Sequence, residues 1–258
     1  SNSPATIDVS TIQTQLGSTS VTINTTGGGP DVGNITVNSP ITENGANTLT
    51  LDADNDIVLN AIITRNGSGG LVLNADRDIN VKANISVTGS ALLGIDAGRD
   101  ILQDKAKAIN GSSGAADVTL DAARNITLRG PVTHSGNGNL KITSGALVNL
   151  TVDGSVTHSG SKNITLSSGT GITLAGDVNQ TGSGDVKLVS IVNGLTDAGD
   201  VRMGAASATL IVEQAGNTTW TGDLTGSGAG FTKRGLGQLT LGGSFTQHTG
   251  NSEVEVGR

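Results

Sequence analysis

Leu49-Thr-Leu-Asp-Ala-Asp-Asn-Asp-Ile57 is followed by Leu71-Val-Leu-Asn-Ala-Asp-Arg-Asp-Ile79, and then by Leu92-Leu-Gly-Ile-Asp-Ala-Gly-Arg-Asp-Ile101. The heads of the three stretches lie 22 and then 21 residues apart. Self-similarity at this period, carried by short apolar-alternating runs broken by Gly, Asn and Asp, is the mark of a solenoid. Such a chain buries its aliphatic residues in a narrow tube and leaves its outer surface for function.

Composition supports this reading. The chain has 258 residues with 39 Gly, four Pro, two Phe, one Trp and no Tyr. Packed layers in a globular domain of this size normally use aromatics to fill wide spaces, whereas stacked coils with one aliphatic residue per strand need none. Disorder is excluded by register, because the hydrophobic residues recur at fixed positions. The formal net charge is -7 and the 15 Lys and Arg are scattered, which argues against a nucleic-acid partner, since phosphate neutralisation needs a concentrated basic face. No apolar run approaches the roughly 18 residues of a membrane span, so no membrane insertion of this segment is expected, and no signal peptide opens it. The absence of cysteine suits either a cytosolic protein or an exported one that crosses a membrane unfolded.

Taken in order, residues 1–20 hold Ile7, Val9, Ile12 and Leu16, spaced like one irregular terminal coil. From Val21 the alternation predicts three short strands per coil. Their first inward residues are Val21, Ile35 and Ile41; Leu49, Ile57 and Ile62; Leu71, Ile79 and Ile85; Leu92, Ile101 and Ile109; Val118, Ile126 and Val132. The series continues with Leu140, Val148 and Val156; Ile164, Ile172 and Val178; Val186, Leu195 and Val201; a weaker coil at Leu210, Thr218 and Leu224; and Phe231, Leu239 and Phe245, with Val254 and Val256 opening another. The fold expected is all-β, a right-handed parallel β-helix of about ten coils of about 22 residues. At about 4.8 Å per coil it makes a rod of roughly 48 Å. Unpaired edges at the ends of such a rod invite aggregation, which leads to the expectation of a segment cut from a longer chain.

Insertions in a solenoid project outward. The coil headed by Leu92 runs 26 residues to Val118, about four longer than its neighbours, and holds Gln103-Asp-Lys-Ala-Lys-Ala-Ile109, either a small lateral loop or one helical turn, and Asp104, Lys105, Lys107 and Asn110 are its candidate binding residues. A second departure, from Val189 to Ala206, keeps its length and loses the clean alternation.

Several residue sets invite a chemical reading. Stacking places Asp52, Asn74, Asp96 and Asp121 in one column and Asp56, Asp78, Asp100 and Asn125 in another. Calcium needs six to eight oxygens with a bidentate carboxylate, and Asn55, Arg77, Arg99 and Arg124 run alongside as neutralisers; Asx-type turn caps with ion pairs across coils are the reading adopted. His134 and His158 align one above the other in two Val-Thr-His-Ser-Gly runs, with Gln180 next, and read as exposed turn residues, because a stacked pair is too few ligands for a metal. No cofactor is expected. Carboxylates at repeated corners and near-absent aromatics do not resemble a sugar-cleaving site, and no Ser, His and Asp set stands apart, so catalysis is not expected. Asn34, Asn84, Asn125 and Asn163 begin Asn-x-Ser/Thr sequons, which serve either as turns into strands or as glycosylation acceptors.

The repeated Leu-x-Leu-x-Ala-x-x-Asp-Ile pattern of Leu49 to Ile57 and Leu71 to Ile79 resembles the filamentous haemagglutinin family of bacterial exoproteins secreted by two-partner systems. A second likeness lies between Gly226 and Gly243, where Phe231, Thr232, Lys233, Gly235, Gly237, Leu239, Thr240 and Leu241 resemble the passenger-associated repeat of autotransporters; Ser244-Phe-Thr-Gln-His248 replaces the Asn-Thr-Tyr usual there. The resemblances divide the chain into an irregular coil at 1–20, haemagglutinin-type repeats at 21–208 and autotransporter-type coils at 209–258. They imply a secreted or cell-surface bacterial adhesin, exported through an outer-membrane transporter partner, that attaches to a host cell-surface glycan, a matrix protein or a biofilm polysaccharide. A passive rod presenting a distal toxin or haem-acquisition domain is the alternative, and a polysaccharide-active enzyme the third.

Overall fold

The structure, a computed structural model, describes residues 5–25, 33–111, 113–196, 199–246 and 250–255. It is a parallel β-helix of about 10 turns. Successive coils contribute parallel strands to an 11-stranded, an 8-stranded and a 10-stranded sheet, and a 2-stranded sheet of Thr218–Trp220 and Leu239–Leu241 follows the 8-stranded one near the C-terminal end. Within each sheet a strand pairs with its equivalent one coil on, as Leu49, Leu51 and Ala53 pair with Leu71, Leu73 and Ala75.

Strand alternation fills the tube. In five-residue strands of the first sheet the first, third and fifth side chains point inward, and in three-residue strands of the other two the first and third do. Leu71, Leu73, Ile79, Val81, Ile85 and Val87 of a single coil are all fully buried. Burying an aliphatic side chain contributes about 1.5–3 kcal/mol, and no aromatic is needed to close so narrow an interior. Tight corners explain the glycine content: a Cβ on Gly160 would stand 1.8 Å from the carbonyl oxygen of Gly136, one coil below, so any larger residue there would force the coils apart.

Three inward assignments shift. Ile63 rather than Ile62, Leu93 rather than Leu92, and Leu150 rather than Val148 enter the core, while Ile62 and Leu92 are 44% and 43% exposed. The cause in the first two is a pair of adjacent aliphatics, where only pairing with the neighbouring coil decides which one turns in. With Leu93 as head, pairing with Leu71 restores a spacing of 22 residues (93 minus 71). The N-terminal residues also differ from expectation: Val9–Leu16 is an α-helix, not an irregular coil, with Ile12 and Leu16 buried against the first coils. Asn47 Nδ2 donates to the Leu16 carbonyl at 2.8 Å and Gln13 Nε2 to that of Thr42, so the helix closes this end of the tube and covers core that would otherwise face water. Val256 and His248 lie outside the described residues.

The revised register makes a direct prediction. Ile63→Ala should lower stability by about 2–5 kcal/mol and Ile62→Ala by no more than about 0.5 kcal/mol, read as the shift in urea unfolding midpoint; equal effects would contradict the register.

Candidate functional site

Polar side chains outside the tube are organised by the coil repeat. At the corner joining the first and second sheets, the side-chain oxygen of each Asx residue accepts the backbone N–H of its counterpart one coil on. Asn34 Oδ1 accepts from Asp56 N at 3.1 Å, Asp56 from Asp78 at 3.1 Å, Asp78 from Asp100 at 3.2 Å, Asp100 from Asn125 at 2.9 Å and Asn125 from Asn149 at 3.3 Å. Guanidinium groups thread between the carboxylates: Arg77 lies 3.7 Å from Asp56 and 3.8 Å from Asp78, Arg99 lies 3.5 Å from Asp78 and 3.9 Å from Asp100, and Arg124 lies 3.9 Å from Asp100. This is the cap-and-ion-pair arrangement expected from the sequence. The same device recurs from Asp117 through Asn139, Asn163 and Asp185 to Thr209, and from Asp177 through Asp200 and Asp223 to Ser244.

The sequon residues Asn34, Asn125 and Asn163 are rungs of these ladders, and Asn84 Oδ1 likewise accepts from Ala108 N at 2.9 Å. The role the structure shows for all four is therefore to hold one coil to the next. The second acidic column is also present, with Asp52, Asn74, Asp96 and Asp121 side by side on the outer face of the first sheet. Partial burial pushes the Asp121 carboxyl above its ordinary value, with the Lys141 ammonium pulling it back and Asp96 adding to the rise. Among the described residues, no three His, Asp or Glu side chains gather as a metal site would require.

The candidate loop is a tight turn rather than a helical turn. Lys107 N donates to the Asp104 carbonyl at 3.2 Å, and Ala106 adopts φ 60, a left-handed conformation costly for a residue with a Cβ. Buried Gln103 anchors the turn from inside the tube: its Nε2 donates to the carbonyls of Lys107 and Pro131, and its Oε1 accepts from Gly130 N. Lys105 is exposed at the tip, and Lys107 is half-buried beside it. Asn110 is not part of the turn; it sits on strand Ile109–Gly111, between Ser86 and Thr133 on the outer face.

The largest departure concerns the histidines. His134 and His158 are fully buried rather than exposed turn residues. In strands Val132–His134 and Val156–His158 the alternation that turns the valines inward turns the third residue inward too. Their rings stack with centroids 4.8 Å apart, and buried Gln180 continues the column. At the N-terminal end of the same interior column Arg65 is fully buried beneath Glu43, at 4.0 Å, and donates to the Asn47 carbonyl; burial pulls its pKa down and Glu43 opposes this. Towards the other end, Lys233 is buried in the first sheet with its ammonium on the carbonyls of Arg234 and Gly235, and burial lowers its pKa. The two described hollows are shallow; the larger, about 510 Å³, is lined by Thr196, Asn217, Thr218, Thr219, Gln238 and Thr240, with no charged group.

Comparison of the chain with protein-family models, with curated proteins and with solved structures yields no match.

The ladder separates acceptor chemistry from charge. Asp78→Asn keeps an acceptor for the Asp100 N–H, and exposed ion pairs contribute at most about 1 kcal/mol, whereas Asp78→Ala strands that N–H and should cost about 1–3 kcal/mol. Urea unfolding should rank wild type, Asn and Ala in that order; Asn as damaging as Ala would contradict the ladder.

Proposed function

We propose that this chain is the stalk and binding segment of a secreted bacterial surface adhesin, which attaches to a host cell-surface glycan, a matrix protein or a biofilm polysaccharide. The observation that carries the reading is the rod itself. Its polar residues are spent on joining coil to coil, and its long, repetitive outer faces suit extended contact rather than enclosure of a small substrate. The likeness of the Leu49 to Ile57 repeat to haemagglutinin-type exoproteins, and of Phe231 to Leu241 to autotransporter passengers, supports export through an outer-membrane partner and display at the cell surface. An interior without cysteine suits passage of an unfolded chain, because coils can add one after another as it emerges.

The ammonium groups of Lys105 and Lys107, held on a turn that Gln103 fixes from within, are the positions best placed to touch an acidic partner. The second reading, a passive rod, is favoured by the small size of that turn. Binding of the isolated chain to an array of glycans and matrix proteins tests both. A binding role predicts attachment that Lys105→Ala/Lys107→Ala weakens at least about tenfold, a change of about 1.4 kcal/mol, without altering the unfolding midpoint. Attachment that the double variant leaves unchanged excludes the turn, and a chain that binds nothing on the array is a spacer.

A further inference from the structure

The histidine pair is shut inside the tube, away from any outer binding face. A neutral imidazole carries one donor and one acceptor nitrogen. His158 Nε2 lies 2.9 Å from the Gly138 carbonyl, so this nitrogen bears the hydrogen. Its Nδ1 then accepts from Gln180 Nε2 at 3.1 Å, with Gln180 Oε1 also 3.2 Å from this nitrogen. Gln180 is held in that orientation from both ends, since its Nε2 also donates to the Lys162 carbonyl at 2.8 Å and its Oε1 accepts from Gly182 N at 3.3 Å. A second proton, on Nδ1, would meet the Gln180 Nε2 donor and could share only the neutral Oε1 at 3.2 Å, which already accepts from Gly182 N, so the charged ring gains no anionic partner. His134 stacks on the other side of the ring, so a charge on each imidazole would repel the other across 4.8 Å in a dry interior.

We propose that His134 and His158 form an acid-triggered weak point in the middle of the rod, where proton uptake by the stacked imidazoles loosens the coils between Val132 and Gln180.

Among the described residues, the neighbours offer no charge to compensate. On the third sheet the column continues with Gly111 on one side and Gln180 on the other. The inward residues of the strands facing it are uncharged, aliphatic at Leu140, Leu128 and Val152 and hydroxylic at Ser144 and Ser168. The charged residues of the adjoining strands and corners, Arg129, Lys141, Asp153 and Lys162, are exposed, and Asp117 and Asp185 are engaged as outer ladder rungs. Burial accordingly pushes the His158 pKa below its ordinary value of 6.5, opposed only by the hydrogen bonds from Gln180, Gly138 and Gly136. The sign follows: the folded state binds fewer protons than the unfolded chain, so stability is fully present above about 6.5 and is lost as pH falls from there through the lowered folded value. Each unit of lowering multiplies the opening equilibrium by about ten. The window between pH 7.5 and 5 brackets the ordinary histidine value of about 6.5, and a variant without the two imidazoles separates their contribution from that of every other titrating group.

The test compares wild type with His134→Gln/His158→Gln, which retains His248, by urea unfolding and native-state hydrogen exchange at pH 7.5, 6 and 5. The expected result is a wild-type midpoint that falls with pH, with opening concentrated in Val132 to Gln180 and enhanced at least about tenfold beyond the intrinsic exchange rate, and a double variant in which that dependence is flattened. A second measurement, NMR titration of the ring carbons of labelled histidine in wild type, stands even if the variant does not fold: His158 should titrate below 6.5, together with the opening. A flat wild-type profile, an unchanged slope in the variant, or a His158 titration at or above the ordinary value would overturn the proposal.

Discussion

Backbone hydrogen bonding between coils is the constraint from which the rest of the molecule follows. A strand in a parallel β-helix satisfies its N–H and C=O groups only through its equivalents one coil before and after. The chain must therefore return to the same place every coil with its side chains in the same parity. Inward positions form columns, so Leu49, Leu71 and Leu93 stack in one line and Ala53, Ala75 and Ala97 in another. Corner residues form columns too, which is why a single Asx capping bond, repeated, becomes a ladder along the rod. Glycine at the corners serves the same end by letting one turn approach the next.

A strict repeat makes departures informative. Where the third inward position of the first-sheet strands changes from alanine to Ser144, Ser168, Ser190 and Gln214, the tube begins to bind its own corners from within: Ser168 Oγ donates to the Val148 carbonyl and Ser190 Oγ to that of Gly194. The region from Val189 onward, where alternation is lost, corresponds to these bonds, to exposed Ile191 and Val192, and to Gly194 at φ 88. Shortly beyond it the second sheet gives way to the short Thr218–Trp220 and Leu239–Leu241 pair. The buried Trp220 donates from Nε1 to the Gly199 carbonyl, a wide side chain where the regular aliphatic filling has stopped.

Much of this was legible in the sequence, and the misreadings share physical causes. The coil, the three strands and both acidic columns follow from period and parity alone. Doubled aliphatics such as Ile62-Ile63 and Leu92-Leu93 hide which member turns inward, because either satisfies the local pattern and only the neighbouring coil decides. The N-terminal helix was present as Val9, Ile12 and Leu16 at helical spacing, obscured by the strand period of everything after it. His134 and His158 read as exposed turn residues and Gln103 as part of a loop because polar groups normally stay in water, and Arg65 draws no reading at all; parity counted from Val132, Val156, Ile101 and Ile63 places all four inside. The anchor of the candidate loop was for that reason missed while its tip was found.

The central claim is that consecutive coils stack in the register described, and the absence of native cysteine makes it open to direct chemical measurement. Thr127 and Thr151 are partners on adjacent strands of the second sheet with outward side chains, about 4.8 Å apart and within the span a disulfide bridges. Oxidation of Thr127→Cys/Thr151→Cys should close an intramolecular disulfide quantitatively, while Thr127→Cys/Asn149→Cys, the pair that a core built on Val148 would align, should remain reduced. The reverse outcome, or closure of neither pair, would contradict the stacked-coil account.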